Sequence, residues 1–335
     1  MKYIETHPRK VRGESVHKTK GEKTEKSAIK EARVQVTMSI KEPAPDNLVP
    51  EDNHFVDAPD VKKLGERVKL WLTTGYPVHL IGPTGCGKTS LAMHTARELG
   101  RPVVWINGDE SVTTNDLIGG YSQIEQESLR DNYIHNVYRS KDILKADWVD
   151  NPLALACKYG YTLVYNEFSR TKPQANNVLL SVFEEGILEL PTKFGEERYI
   201  KVHPDFNAIL TSNSIEYAGV HRPQDALLDR LVSIFMDYYS FDTELKIVNA
   251  HTGLPRHEVK KIVNVVRSLR DKLPDAQKPG TRTGIMMGKG LAALKGSDNI
   301  DFEQLCVDVM AAKTCSQYDM LEKQALVKDV LSTLA

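Results

Sequence analysis

At 335 residues, with roughly 150 residues to a domain, the chain has room for about two domains and ample apolar material for their cores, which excludes a disulfide-stapled mini-protein. Hydrophobic residues at 41% and charged residues at 27%, with a mean hydropathy of -0.38, are globular values that exclude a membrane bundle. The formal net charge of -1 argues against a strongly basic nucleic-acid binder. No stretch approaches the ~20 apolar residues of a membrane helix, and the first ten residues lack the apolar core of a signal peptide. The expected setting is therefore the cytoplasm, with no membrane insertion. Cys86, Cys157, Cys306 and Cys315 show no close CxxC pairing and read as reduced thiols.

In chain order, residues 1–33 come first, with ten Lys+Arg against five Asp+Glu; their net of +5 leaves -6 for the remainder. This polar, aromatic-poor stretch cannot bury enough apolar area to offset its ordering entropy. Residues 1–50 read as a disordered basic arm and linker, serving either as a tether to an acidic partner or as a solvated spacer. Beyond the proline-containing linker, short apolar runs alternate with longer amphipathic stretches, the pattern of a parallel sheet covered by helices. Five runs qualify as buried strands: Val78–Ile81, Val103–Ile106, Tyr161–Tyr165, Phe206–Leu210 and Val232–Met236. After about Thr243 the strand signal gives way to helical spacing at 244–251, 258–273, 284–294 and 302–314, broken by Gly or Pro. The expected organisation is an α/β nucleotide-binding domain over 51–242 and a small all-helical domain over 243–335.

The first strand runs into Gly82-Pro83-Thr84-Gly85-Cys86-Gly87-Lys88-Thr89, followed by a helical pattern over 90–99. Strand, GxxxxGK[ST], helix is the signature of a phosphate-binding loop. Glycines are needed because backbone N–H groups must curl around phosphate oxygens with no Cβ in the way, and the helix N-terminus adds positive potential. Lys88 is placed to reach the β- and γ-phosphates and Thr89 to put its hydroxyl on Mg²⁺, so ATP and Mg²⁺ are the expected ligands. Cys86 reads as loop filler.

The third strand ends in Asn166-Glu167, where P-loop enzymes usually carry Asp-Glu. Glu167 is the candidate to polarise the attacking water. Asn166 can accept a hydrogen bond from Thr89 or a metal-bound water, but it offers an amide where a hard cation prefers a carboxylate, so weakened Mg²⁺ binding is expected. The fourth strand leads to Asn213, a polar amide that either orients the water and senses the γ-phosphate or is simply turn chemistry. Residues 225–230 read as a helix whose last turn presents Arg230. That arginine either stabilises transition-state charge on a neighbour's nucleotide or meets its own helix dipole. Arg282, in Gly280-Thr281-Arg282-Thr283-Gly284 at the start of a helix in the second domain, is poorly placed for the dipole and well placed to face phosphate.

Taken together these features resemble the AAA+ ATPases and, within them, the MoxR-like branch that includes activators of Rubisco and of nitric oxide reductase. The branch-level marks are Asp116-Leu117-Ile118-Gly119-Gly120 and Asn151-Pro152-Leu153. More specific are Leu163-Val164-Tyr165-Asn166-Glu167-Phe168-Ser169-Arg170, then Gln174-Ala175-Asn176-Asn177-Val178-Leu179-Leu180 and Glu216-Tyr217-Ala218-Gly219-Val220-His221, which look like the GvpN family of gas vesicle proteins. The resemblance runs from about Val56 to the end. It implies the roles above for Lys88, Thr89, Glu167, Asn213, Arg230 and Arg282, with Asn166 departing from the usual Asp. It also implies a homo-hexameric ring with nucleotide between subunits, a helical lid, and work in gas vesicle formation on shell or accessory proteins. In this branch the insert Ser122–Asp150 and the segment Ile187–Val202, a hairpin by its sequence, project toward the pore or face of the ring. Tyr121, Tyr133, Tyr138 and Trp148 are then candidates for touching a client, or else packing cover for the sheet. Two other readings stay open: a MoxR-type activator of a metalloenzyme, and a nucleotide-dependent structural switch with little hydrolysis.

Overall fold

The computed structural model describes residues 55–121, 148–190, 198–214, 221–294, 301–311 and 320–334, together with the backbone alone of 125–130, 140–145 and 317–319. The basic arm expected over 1–50, the segment 216–220, Tyr133, Tyr138 and Cys315 lie outside the described residues.

The chain enters through helix α1 (Pro59–Thr73), with proline at its first position and Val61, Gly65, Val68 and Leu72 forming its buried stripe. Strand β1 (Val78–Gly82) and helix α2 (Lys88–Glu98) flank the glycine-rich turn, and β2 (Val103–Asn107) follows. A Thr113/Asp116 capping box starts α3 (Thr114–Ile118), with each side chain hydrogen-bonded to the other's backbone amide. Next come β3 (Gly119–Tyr121), β4 (Glu125–Arg130), β5 (Ser140–Lys145) and β6 (Trp148–Asp150), paired antiparallel as β3 with β6 and β4 with β5. Helix α4 (Pro152–Tyr159) leads to β7 (Thr162–Asn166), then α5 (Pro173–Asn176) and α6 (Val178–Glu184). The hairpin expected at 187–202 is present as β8 (Ile187–Glu189) against β9 (Tyr199–Lys201). Strand β10 (Asn207–Asn213), the short α7 (Asp225–Leu228) and β11 (Val232–Phe235) complete this part.

All five sequence-predicted strands form one parallel sheet in the order β11-β1-β10-β7-β2. Side chains alternate across it, so Leu163, Tyr165, Ala208 and Leu210 join one apolar cluster while Val164, Ile209, Val78 and Leu80 join the other. Burial on both faces is why the three inner strands, β1, β10 and β7, read as largely apolar runs, while the edge strand β11 leaves Ser233 and Phe235 exposed. The order places β1 beside β10 and β10 beside β7, so the carboxyl ends of the strands meet at one edge, with Gly82 opposite Asn213 and Asn107 opposite Asn166.

Helices α8 (Phe241–Thr252), α9 (Arg256–Lys272), α10 (Thr281–Ala293), α11 (Phe302–Ala311) and α12 (Gln317–Leu334) follow. The first four match the expected helical segments, and α12 is an addition to them. They gather around a third apolar cluster that includes Val248, Ile262, Val266, Met287, Cys306 and Val330. Among the described residues no helix is long and apolar enough to cross a membrane.

Candidate nucleotide site

The phosphate loop is shaped by its glycines. Gly87 caps α2 at φ 96 and Gly85 sits at φ 81, both in the left-handed region that a side chain disfavours. This turns the chain back on itself before Lys88 starts the helix. Lys88 is buried, and its Nζ donates to Gly82 O at 2.9 Å, Pro83 O at 2.8 Å and Asn213 Oδ1 at 3.1 Å. Burial holds its ammonium below the usual lysine range, opposed by the nearby Cys86 and Glu167. Thr84 Oγ1 also points at Asn213 Oδ1, at 3.4 Å. Cys86 corrects the sequence reading: it is not filler, because its side chain is fully buried in the cluster beneath the loop, and burial pushes its thiol up.

Beside the loop lies an edge made of side chains. Asn166 Oδ1 accepts the Thr89 hydroxyl at 2.8 Å and the Thr211 hydroxyl at 2.9 Å, and its Nδ2 donates to Asn107 Oδ1 at 3.1 Å. The Thr211 hydroxyl oxygen in turn accepts the Glu167 backbone N–H at 3.1 Å. Glu167 has φ 51, alone among the described non-glycine residues in the left-handed region. Its carboxylate is partly exposed and pairs with Arg170, Oε2 to Nε at 3.3 Å. Gly108 is required against this turn, since a Cβ there would stand 2.2 Å from the Glu167 carbonyl oxygen.

Asn213 is the last residue of β10, the strand end where the sequence places it, and its Oδ1 accepts from Lys88. Arg230 departs from expectation in another way. Helix α7 stops at Leu228, so Arg230 stands beyond it rather than in its last turn. There its guanidinium donates to the Ala226 carbonyl, and Nε donates to Glu184 Oε2 at 2.9 Å. Arg282 lies in the first turn of α10, as expected, and this turn abuts the phosphate loop: a Cβ on Gly85 would meet Gly280 Cα at 3.4 Å and Arg282 Cβ at 3.6 Å. Its base is tied by the buried Glu244, which accepts from Arg270 Nη2 at 2.7 Å, Arg267 Nη1 at 2.9 Å and Thr281 Oγ1 at 3.1 Å.

Between the loop and the helices opens a cavity of about 250 Å³ lined by Phe55, Tyr239, Ile247, His251, Arg282 and Ile285 among others. Apart from Arg282, sequence reasoning missed these residues. They are scattered over more than two hundred positions and share no motif, and the single available cue was the aromatic Tyr239 just after the fifth strand.

The family model described as the AAA domain of the dynein-related subfamily matches residues 77–231, which span β1 through the end of α7. The gas vesicle ATPase GvpN of Haloferax mediterranei is 49% identical over 342 residues, 98% of this chain and 98% of that protein. The gas vesicle ATPase GvpN1 of Halobacterium salinarum is 50% identical over 327 residues, 94% of each. The chain belongs to the gas vesicle ATPase GvpN family. A more distant relative is the protein CbbQ of Hydrogenophilus thermoluteolus, 24% identical over 69% of this chain and 79% of that one. As a GvpN family member with an AAA domain, the chain is a nucleotide-binding, ATP-hydrolysing P-loop enzyme of the MoxR-like group.

Proposed function

We propose that this chain hydrolyses ATP at the boundary between subunits of a homo-hexameric ring and uses the cycle as an assembly chaperone for gas vesicles, acting on shell or accessory proteins in the cytoplasm or at the vesicle. An α/β domain over 51–242 and a lid over 243–335 are the working parts, in keeping with their separate apolar clusters. In this reading residues 82–89 cradle the phosphates, Lys88 exchanges its carbonyl partners for phosphate oxygens, and Asn213 passes from Lys88 to the γ-phosphate. Glu167 polarises the attacking water and Arg282 closes the lid over phosphate charge. Arg230 leaves Glu184 for the neighbour's nucleotide.

The single observation that supports the hydrolytic reading is the continuous bond chain Thr89–Asn166–Thr211–Glu167, which ties the loop to the backbone N–H of the residue that carries the carboxylate. The residues fit Mg²⁺ with one departure: Thr89 Oγ1 and, through water, Asn166 Oδ1 would hold it, with an amide in place of the customary charge. Bound there, Mg²⁺ would neutralise phosphate charge. Identity near 50% across nearly the whole length of gas vesicle proteins, against 24% to CbbQ, favours gas vesicle work over activation of a metalloenzyme.

Turnover by the purified chain tests the reading. ATP hydrolysis should fall on the order of 100-fold or more in Glu167→Gln and should rise per subunit with protein concentration as rings form. An equal, near-zero rate in both proteins would favour the nucleotide-dependent switch, a reading kept in play by the uncharged Asn166. Deletion in a vesicle-making cell, complemented by wild type and not by Lys88→Ala, tests the client.

A further inference from the structure

A left-handed turn at a glutamate needs an outside hold. Glycine and asparagine adopt φ > 0 readily, whereas a straight-chain carboxylate has no local hydrogen bond that compensates the crowding at its Cβ. Such a conformation persists only where the surroundings over-determine it. Besides the Arg170 N–H, which donates to the Glu167 carbonyl at 2.9 Å, three holds are visible at Glu167. Its N–H is taken by Thr211 Oγ1, and its carbonyl side rests on Gly108. The third reaches it through the next residue: the Phe168 carbonyl accepts the side-chain amide Nδ2 of Asn176 at 3.1 Å.

We propose that Asn176, itself locked by the Tyr165 hydroxyl, is a positioning residue that sets the direction of the Glu167 carboxylate. The inference rests on the reading of Glu167 as the group that polarises water. Asn176 and Tyr165 are both buried, Asn176 at 4% exposure and Tyr165 at 0%. The Tyr165 oxygen lies 3.0 Å from Asn176 Oδ1 and 2.8 Å from Thr171 Oγ1. Asn176 Oδ1 carries no hydrogen, so the tyrosine proton goes to it and the Thr171 hydroxyl supplies the other proton. The Phe168 carbonyl can only accept, and this fixes the amide's orientation: Nδ2 faces that carbonyl and Oδ1 is turned to the Tyr165 hydroxyl. Burial raises the phenol to about 12, so the tyrosine keeps this proton throughout the physiological range. The Phe168 ring, wholly buried, is pinned edge-on to His79 at 4.9 Å and to Tyr165 at 6.2 Å, so the turn cannot slide to compensate for a lost peg. The side-chain hydrogen bonds of the pair run to each other, to Thr171 and to the Phe168 carbonyl rather than to the phosphate loop, so their loss should fall on the hydrolytic step more than on nucleotide grip.

The test is made on the full chain. Asn176→Ala and Tyr165→Phe are prepared in wild-type and Glu167→Gln backgrounds, and ATP turnover at saturating Mg²⁺ is measured beside the affinity for a fluorescent ATP analogue. In the wild-type background each variant should lower kcat by about 10- to 100-fold, the effect of a misplaced reacting group, with analogue affinity changed less than about twofold. In the Glu167→Gln background neither should lower the residual rate further. Equal fold-losses in both backgrounds, or an unchanged kcat in the wild-type background, would overturn the proposal. Full activity of Glu167→Gln by itself would instead remove the reading of Glu167, and the positioning role with it. Should Asn176→Ala fail to fold, Tyr165→Phe, which deletes one oxygen, still decides the matter.

Discussion

The phosphate loop and the Asn166–Glu167 edge stand side by side at the carboxyl end of one sheet, and they are built from different material. The loop is eight consecutive residues whose useful groups are main-chain N–H and carbonyl groups, shaped by two left-handed glycines, with one buried lysine in their midst. The edge is assembled from side chains on three strands: Asn107 of β2, Asn166 of β7 and Thr211 of β10, with Glu167 on the turn after β7. A backbone-built site is insensitive to most side-chain changes and fails when its conformation or its one cation is removed. A side-chain network fails piece by piece, and its separate members tune separate steps. Binding and turnover should therefore come apart under mutation.

The sharpest way to break that contrast is Lys88→Ala. With its ammonium as the proposed charge of the cradle, losing that charge-assisted contact to phosphate should weaken nucleotide binding on the order of 100-fold, equivalent to ~2.7 kcal/mol, as read by equilibrium dialysis. Binding as tight as wild type would mean that the cradle's grip is wholly main-chain. Next in size is Gly108→Ala, which puts a methyl 2.2 Å from the Glu167 carbonyl oxygen and should cost about 2 to 3 kcal/mol in urea unfolding, with turnover falling more than binding.

His79, on β1 beneath both regions, tests what they share. Its Nε2 lies 2.7 Å from Ser212 Oγ, and burial lowers its pKa to about 4 from 6.5. Between those values the unfolded chain binds a proton that the folded chain refuses. Stability should therefore fall as pH drops from about 6.5 toward 4, with a limiting slope of ~1.4 kcal/mol per pH unit. Urea midpoints at pH 7 and pH 5 measure it, and His79→Gln should remove that part of the slope. The smallest effect is on the metal: Asn166→Asp restores a carboxylate and should lower the Mg²⁺ concentration for half-maximal turnover about fivefold, equivalent to ~1 kcal/mol. An unchanged requirement would place Asn166 away from the cation.

Legibility in the sequence followed the same division. The loop was plain because its chemistry is contiguous, and the five strands were plain because burial leaves mostly apolar runs, with His79 and Ser233 the polar interruptions in two of them. What escaped was non-local. The partners of the polar strand residues Thr211 and Ser212 lie on other strands, Asn166 for the first and His79 for the second, and no local pattern reveals them. The end of α7 before Arg230 and the pairing of that arginine with Glu184 join residues forty-six positions apart. Helix α12 buries Val327 and Val330 with Met320 packed against the same cluster, but it leaves Leu321 in solvent at 59% exposure, an apolar residue off that stripe. The wall of the 250 Å³ cavity brings together residues as far apart in the chain as Phe55 and Ile285.

The partner of Arg230 has a geometric corollary. Glu184 is the final residue of α6, and the β8–β9 hairpin, with Ile187 and Tyr199 turned to solvent, begins three positions later. A guanidinium drawn away across a subunit boundary would release the carboxylate at the root of that hairpin in the same stroke. One departure would then report a neighbour's bound triphosphate to the surface of the donor.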